Sequence, residues 1–191
     1  MNKTLSGFAI FPGIIVVTFI VGIIGLSCAG DNPPDAPFGS TIEIQNPLGD
    51  VTIPPNAIFQ TNPPIRAEVL DPDGFPLNDV KVTFGLSFAG RNDIVFDSNG
   101  DGVPDARALQ LVDPDACGGT NCLNVPISQW FAFGAFCDSP CTKLTNNDGT
   151  ADIIILISNP NGTLVIDPAT FEASIATDFD SFEFSVNAGT E

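Results

Sequence analysis

A short acidic segment near the middle of the chain has the residue types and spacing of a cation-binding loop. It reads DSNGDGVPD, and oxygen-bearing side chains occupy its first, third, fifth and ninth positions: Asp97, Asn99, Asp101 and Asp105. Alternate residues of a tight coil point inward, where carboxylate and amide oxygens suit a hard cation such as calcium. Gly102, at the sixth position, permits the sharp turn that this coil requires. The alternative is an ordinary surface turn rich in Asp, Asn and Gly.

The same segment resembles the start of an EF-hand loop and, more closely, the calcium loops of thrombospondin type-3 repeats. That resemblance implies five ligands, namely the side chains of Asp97, Asn99, Asp101 and Asp105 and the backbone carbonyl of Val103. Ala108 stands where an EF-hand has its bidentate glutamate. A sixth oxygen would therefore come from water or from Asp93, Asp113 or Asp115. We expect calcium as a structural cofactor at this site.

Four cysteines form a second group of side chains that could carry chemistry: Cys117, Cys122, Cys137 and Cys141. An even number of cysteines in an exported chain predicts disulfides. Of the three possible connectivities, the local pairs Cys117–Cys122 and Cys137–Cys141 are favoured. The alternative is a zinc site of four thiolates, but these spacings are only loosely typical of zinc knuckles, and an oxidising compartment favours disulfides.

The segment between the two cysteine pairs is strongly aromatic. From Trp130 to Phe136 it reads WFAFGAF, and its alternation predicts a strand that is apolar on both faces. Burial in the core is one explanation of this pattern. The other is an exposed platform for a partner protein or a sugar ring, with Trp130 as the stacking residue.

The N-terminal region predicts export. An uncharged run from Phe8 to Ser27 follows Lys3 and ends at Cys28. The four residues ending at Cys28, GLSC, resemble the lipobox of bacterial lipoproteins, which implies that Cys28 is lipidated and becomes the mature N-terminus. The run is also long enough to remain as an uncleaved membrane anchor. A third possibility is secretion after cleavage near Ala29 or Gly30.

All three interpretations of the N-terminal region place the folded domain outside the cytoplasm. We therefore divide the chain into a signal peptide or anchor at 1–28, a flexible linker at 29–40 that holds the domain off the membrane, and a folded domain at 41–191.

Charge and composition exclude several functions. The chain has 23 acidic and 6 basic residues, so its electrostatic potential opposes binding to nucleic acid or to anionic headgroups. Histidine and tyrosine are both absent from the sequence, which removes the usual general base, the commonest zinc ligand and the phenolic acid from any proposed mechanism. A hydrolase with paired carboxylates is a remaining enzymatic hypothesis, but no nucleophile motif accompanies the acidic residues. We expect a protein that is not an enzyme.

The pattern of the folded part is all-β. Two alternating runs flank DPDG between Arg66 and Phe84, and we interpret them as the central strand pair of a sandwich. A second hairpin signal spans Lys143 to Ser158, where Asp148-Gly149 precedes a buried strand. Further strands are expected within residues 40–45, 162–175 and 179–186. Short strands between Pro, Gly and Asp clusters predict a β-sandwich.

These strands and turns resemble the bacterial immunoglobulin-like domains of invasins and intimins, in the order RAEVLDPDGFPLNDVKVTF, LTNNDGTADIIIL, GTLVIDPATFEASI and FEFSV. The resemblance implies an immunoglobulin-like Greek-key sandwich that acts as a spacer or adhesive module. A disulfide-containing insertion at about 90–141 departs from the family pattern.

The expected function is that of a non-enzymatic cell-envelope lipoprotein at the outer membrane or cell surface, with an unknown protein or glycan partner. The alternatives are secretion and a carbohydrate-binding module that uses Trp130.

Overall fold

The described part of the chain consists of short strands joined by turns rich in Pro, Gly and Asp. In the computed structural model it comprises residues 34–88, 94–96, 106–130, 132–159 and 162–189. The strands are β1 (Thr41–Ile44), β2 (Val51–Ile53), β3 (Ala57–Gln60), β4 (Ile65–Leu70), β5 (Lys81–Phe88), β6 (Ile94–Phe96), β7 (Ala106–Arg107), β8 (Leu109–Val112), β9 (Phe136–Cys137), β10 (Cys141–Leu144), β11 (Thr150–Asn159), β12 (Ile166–Ser174) and β13 (Phe179–Ala188). Two single-turn 3-10 helices, Cys122–Asn124 and Ile127–Gln129, lie between β8 and β9.

Most of these strands belong to two sheets. The first sheet has the order β1-β4-β11-β8-β9, and β3 also pairs with β11. The second sheet has the order β10-β5-β12-β13-β2. Neighbouring strands are antiparallel except β2 and β13, which run parallel. β6 and β7 form a separate two-stranded ribbon.

The strand order is that of an immunoglobulin-like Greek key. In an immunoglobulin domain, strands A, B, E and D form one sheet and strands C, F and G form the other. Here β1, β4, β11 and β8 occupy the first set of places, and β5, β12 and β13 occupy the second. This pairing confirms the predicted fold class, an immunoglobulin-like sandwich with a disulfide-containing insertion.

The two predicted hairpins are wrong in their pairing. β4 and β5 lie in different sheets, so the turn at 71–80 crosses over the core instead of joining hydrogen-bonded neighbours. The turn before β11 also crosses from one sheet to the other, because β10 pairs with β5 in the second sheet while β11 pairs with β4 in the first. An arch between sheets and a hairpin within one sheet both join two alternating strands by a tight turn, so the sequence pattern alone does not separate them.

The core lies between the two sheets and follows the period-two alternation of the strands. In β4 the inward side chains are Ile65, Ala67 and Val69, which are all buried. The opposite sheet contributes Phe84 and Phe171, with ring centroids 5.9 Å apart, in contact with the main cluster of aliphatic side chains. Burial of this continuous apolar layer is the main source of stability of the sandwich.

The domain begins before its first strand. Ala36 belongs to the main core, Ser40 is buried, and the Ser40 amide donates to the Pro37 carbonyl at 3.1 Å. Ala36 and Ser40, which lie within the predicted flexible linker at 29–40, therefore pack against the sandwich.

Carboxylates from β13 and its preceding turn close one side of the sandwich. The outer edge of β1 has backbone amides without strand partners, and the Ile42 amide donates to Asp178 at 3.2 Å and the Ile44 amide to Asp180 at 2.8 Å. Asp180 is on the other sheet, so each bond also ties the two sheets together at this side. An edge strand whose amides are already bonded cannot add a foreign strand.

The substitution Asp180→Ala tests this closure. It removes the acceptor of the Ile44 amide, and we expect a loss of about 1.5–3 kcal/mol in the free energy of unfolding, typical of a hydrogen bond to a charged group. Chemical denaturation monitored by circular dichroism measures the loss. Glu183→Ala, which removes an exposed carboxylate from the same strand, is the matched control. Equal losses in the two variants would contradict the role given to Asp180.

Candidate functional site

The insertion between β8 and β11 is the part of the described chain that departs most from a plain immunoglobulin-like domain. It contains both cysteine pairs, the aromatic segment and two of the three carboxylates that the sequence offered as extra cation ligands. Residues 113–130 and 132–136 of this insertion cover part of the outer face of the first sheet, around Ile154 and Leu156 of β11. We call this region the outer cover.

Both predicted disulfides are present. Cys117 and Cys122 are joined with their Cα atoms 5.1 Å apart, and Cys137 and Cys141 with theirs 5.5 Å apart. The first bond closes a turn within the outer cover. The second joins β9 of the first sheet to β10 of the second, so it ties the sheets on the side opposite Asp178 and Asp180. Two disulfides are typical of a protein that folds in an oxidising compartment.

The outer cover has a small hydrophobic core of its own. Its buried members are Val112, Cys117, Cys122, Trp130, Ala135, Ile154 and Leu156. Ile154 and Leu156 come from β11, whose other face sends Ile153, Ile155 and Ile157 into the main core. β11 is therefore buried on both faces, which explains its uninterrupted apolar sequence.

Trp130 is the centre of the outer cover. Its side chain is 0% exposed, and the indole N–H donates to the carbonyls of Cys122 and Val125, at 3.0 Å in each case. This burial contradicts the hypothesis of an exposed platform at Trp130, because stacking on a sugar ring requires an open indole face. The indole instead satisfies the carbonyl of Cys122, which ends the turn closed by the first disulfide, and that of Val125, which follows the next 3-10 helix.

The aromatic segment is not the strand that its alternation predicted. Residues 132–134 form a turn in which Gly134 has a φ of +67°, and of the described residues in this segment only Phe136 continues into a strand, β9, with Cys137. Phe133 is half exposed and lies over Gly118, where a Cβ atom would come within 3.1 Å of the phenyl ring. Glycine at these two positions lets the chain turn and pack closely, which the alternating pattern did not indicate.

Lys143 adds an ionic link between β10 and the outer cover. Its ammonium contacts Asp113 Oδ1 at 2.5 Å and Asp115 Oδ2 at 2.8 Å, and its side chain is only 10% exposed. Sequence analysis missed this lysine, although it is one of only 6 basic residues in the chain. Asp113 and Asp115, two of the candidates for the sixth calcium ligand, are thus engaged by a cation of the protein itself.

The open part of the first sheet's outer face has one well-formed ion pair. Arg66 donates from Nε and Nη2 to the two carboxylate oxygens of Asp152, at 2.8 and 2.9 Å. The hydrogen bond with Asp152, together with its negative charge, raises the pKa of the Arg66 guanidinium. Because Arg66 is half exposed, we expect this pair to add less than about 1 kcal/mol to stability.

An open cleft of about 330 Å³ lies beside the second disulfide, between the end of β5 and strands β8 and β9. Its walls combine Leu86, Phe88, Leu109 and Leu111 with the polar side chains of Arg107, Gln110, Asp138 and Ser139. These polar groups support local structure. Arg107 lies 3.8 Å from Asp138, the amide of Arg107 donates to Gln110 Oε1, and Ser139 Oγ accepts from the Leu86 amide.

Several predicted site residues lie outside the described residues. They are the lipidation residue Cys28 with the whole segment 1–28, and the calcium ligands Asp97, Asn99, Asp101, Val103 and Asp105. Across the described ranges, no cluster of three or more His, Cys, Asp or Glu side chains is arranged to hold a metal ion. Those same ranges contain no helix with the length and apolar character needed to cross a membrane.

Comparison with known proteins adds little beyond the strand order. No protein-family model matches the chain, and no curated protein matches it. Among solved structures, the ASH/PapD-like domain 7 of human CEP192 is similar at 14% identity and a TM-score of 0.38, over 88% of this chain and 96% of that one. Titin domain M7 is similar at 8% identity and a TM-score of 0.32, over 82% of this chain and 99% of that one. The fold assignment rests on the pairing of the strands described above.

The two disulfides have different expected roles, which paired substitutions separate. Removing Cys117 and Cys122 as a double serine variant opens the turn whose carbonyl accepts the Trp130 N–H, at a cost of about 2 kcal/mol. We expect the emission of Trp130, the one tryptophan in the chain, to shift to the red and to become quenchable by acrylamide.

The matched control removes Cys137 and Cys141 in the same way. It loosens the contact between the sheets but leaves the turn around the indole closed, so the emission of Trp130 should stay blue-shifted. An equal response of Trp130 in the two double variants would show that the first disulfide has no special part in covering it.

Proposed function

We propose that this chain is an exported, non-enzymatic interaction domain of the cell envelope, held at the membrane through lipid on Cys28. The observation that carries the proposal is the disulfide between Cys137 and Cys141, which joins the edges of the two sheets of an immunoglobulin-like sandwich. A disulfide that joins two sheets is part of the tertiary fold, and disulfides form and persist in an oxidising compartment.

The sequence before the domain supports attachment to a membrane. The apolar run from Phe8 to Ser27 is followed at once by Cys28 in a lipobox-like context. Export of the chain would deliver the cysteines to the oxidising side, so the leader and the disulfides point to the same compartment.

The proposed mode of action is mechanical or adhesive, as in the invasin and intimin domains that the strand and turn sequences resemble. The sandwich is tied on both sides, by Asp178 and Asp180 on one and by the second disulfide and Lys143 on the other. Such a closed domain suits a rigid spacer or a display scaffold.

Mass spectrometry of the intact protein purified from membranes tests the anchor. We expect a chain that begins at Cys28 and contains acyl groups, with a gain of two hydrogens for each disulfide on reduction. The variant Cys28→Ser should lose the acyl mass and leave the membrane fraction. A full-length chain without lipid would show a spanning anchor instead, and a shorter unlipidated chain would show a freely secreted protein.

We also propose that the segment DSNGDGVPD binds calcium through Asp97, Asn99, Asp101, Val103 and Asp105. The support is the spacing of the oxygen ligands in the sequence. The role would be structural, since the segment falls within residues 90–141, the stretch that departs from the family pattern and also contains the four cysteines.

Isothermal titration of the detergent-solubilised full chain tests calcium binding. We expect a saturable heat with a Kd of roughly 10⁻⁴ to 10⁻³ M, as in extracellular modules, and its loss in a variant with Asp97 and Asp101 both changed to Asn. Asp148→Asn, which changes an exposed turn carboxylate elsewhere, should bind like the unmodified chain. No heat up to several millimolar calcium would refute the site.

A further inference from the structure

Four segments meet at one end of the sandwich, which we call the entry end because the chain enters the domain there. They are residues 34–40, 71–80, 145–149 and 175–178. Direct contacts hold them together. The Thr177 hydroxyl donates to the Ser40 carbonyl at 3.3 Å, and Gly39 and Gly149 lie against Pro72 and Pro76 respectively. The entry end is thus a single packed surface.

Three phenylalanines project from the entry end into solvent. Phe38 is 95% exposed, Phe75 is 66% exposed and Phe179 is 64% exposed. Phenylalanine is among the residue types most often buried in proteins, so three exposed rings at one end need an explanation.

The turns that present these rings are well ordered. Asp71 Oδ1 accepts from the amides of Asp73 and Phe75, at 2.9 and 2.8 Å. Phe38 lies in the turn closed by the bond between the Ser40 amide and the Pro37 carbonyl, and Phe179 is the first residue of β13. The rings therefore stand on structured backbone, which lowers the entropy cost of binding through them.

The position of the proposed lipid anchor indicates which surface the three exposed phenylalanine rings would contact. Pro34, the first described residue, is six residues after Cys28. A chain spans at most about 3.6 Å per residue, so Pro34 lies within roughly 20 Å of a lipidated Cys28. The tether therefore holds the domain to the membrane through its entry end. This step rests on the anchoring proposed above.

We propose that Phe38, Phe75 and Phe179 insert into the interfacial layer of the membrane that holds the anchor. They would fix the domain with its entry end facing that membrane. The acyl groups on Cys28 hold the chain at the membrane, and apolar side chains buried at the headgroup boundary add contacts that restrict how the domain is oriented there.

The charge of the entry end indicates which class of lipid headgroup it would contact. Asp73, Asp79 and Asp148 are exposed there, so an anionic surface would repel it. The lipid that fits is zwitterionic, because its ammonium groups can face these carboxylates while the rings reach the acyl boundary.

The test uses tryptophan as a depth probe in the full chain. Phe38→Trp places an indole at the entry end, and Val165→Trp is the matched control at the opposite end, where Val165 is also 64% exposed. Trp130 is buried in the outer cover, so the unmodified chain supplies the background signal. Each protein is reconstituted in phosphatidylcholine vesicles whose acyl chains are either brominated or unmodified, and vesicle flotation is measured first.

We expect all three proteins to float with the vesicles. F38W should show blue-shifted emission that brominated lipid quenches, whereas V165W and the unmodified chain should not be quenched. Adding Phe75→Ser and Phe179→Ser to F38W should reduce the quenching without loss of flotation. Adding phosphatidylglycerol, an anionic lipid, should reduce it as well.

The outcomes separate the two proposals. Flotation without quenching of F38W would overturn the membrane contact while leaving the anchor in place, and would make the rings a surface for a protein partner. Equal quenching of F38W and V165W would also overturn it, because the domain would then have no fixed orientation. Failure of the unmodified chain to float would overturn the anchor, and with it the contact that depends on the anchor.

Discussion

The structure depends on one strand, β11, that is buried on both faces. Its odd-numbered isoleucines fill the core between the sheets, and Ile154 and Leu156 fill the core of the outer cover. A strand of this kind would present a wide apolar strip to water if the insertion were absent, and such a strip invites aggregation. The outer cover is therefore required by the sequence of β11. The first disulfide and the Trp130 hydrogen bonds hold that cover in its closed form.

The second constraint is the excess of acidic over basic residues. With 23 acidic and 6 basic residues, the chain has few opportunities for ion pairs, and in the described residues two of its cations join separate parts of the fold. Lys143 links β10 to two carboxylates of the outer cover, and Arg66 pairs with Asp152 across two neighbouring strands. Elsewhere carboxylates bond to backbone amides, as Asp178 and Asp180 do at the edge of β1.

Sequence reasoning found what local pattern and turn chemistry determine. The all-β class, the positions of β4, β5, β11 and β13, and both local disulfides followed from alternation, turn dipeptides and cysteine spacing. It failed where distant residues decide the outcome. Whether the turn at 71–80 makes a hairpin or an arch depends on the partners of β4 and β5, which are far away in the chain. The aromatic run around Trp130 looked like a strand because glycine turns within it have no signature in hydrophobic alternation.

Hydrogen exchange of the intact chain, followed by mass spectrometry of its peptides, tests the central claim most directly. If the outer cover and the sandwich share β11 as one structure, peptides from residues 113–136 should be protected on a timescale near that of β11 itself, because their opening would expose Ile154 and Leu156. Peptides from the turn at 71–80, which covers no second core, should exchange much faster. Rapid exchange throughout 113–136, with β11 still protected, would contradict the account and reduce the outer cover to a loose surface loop.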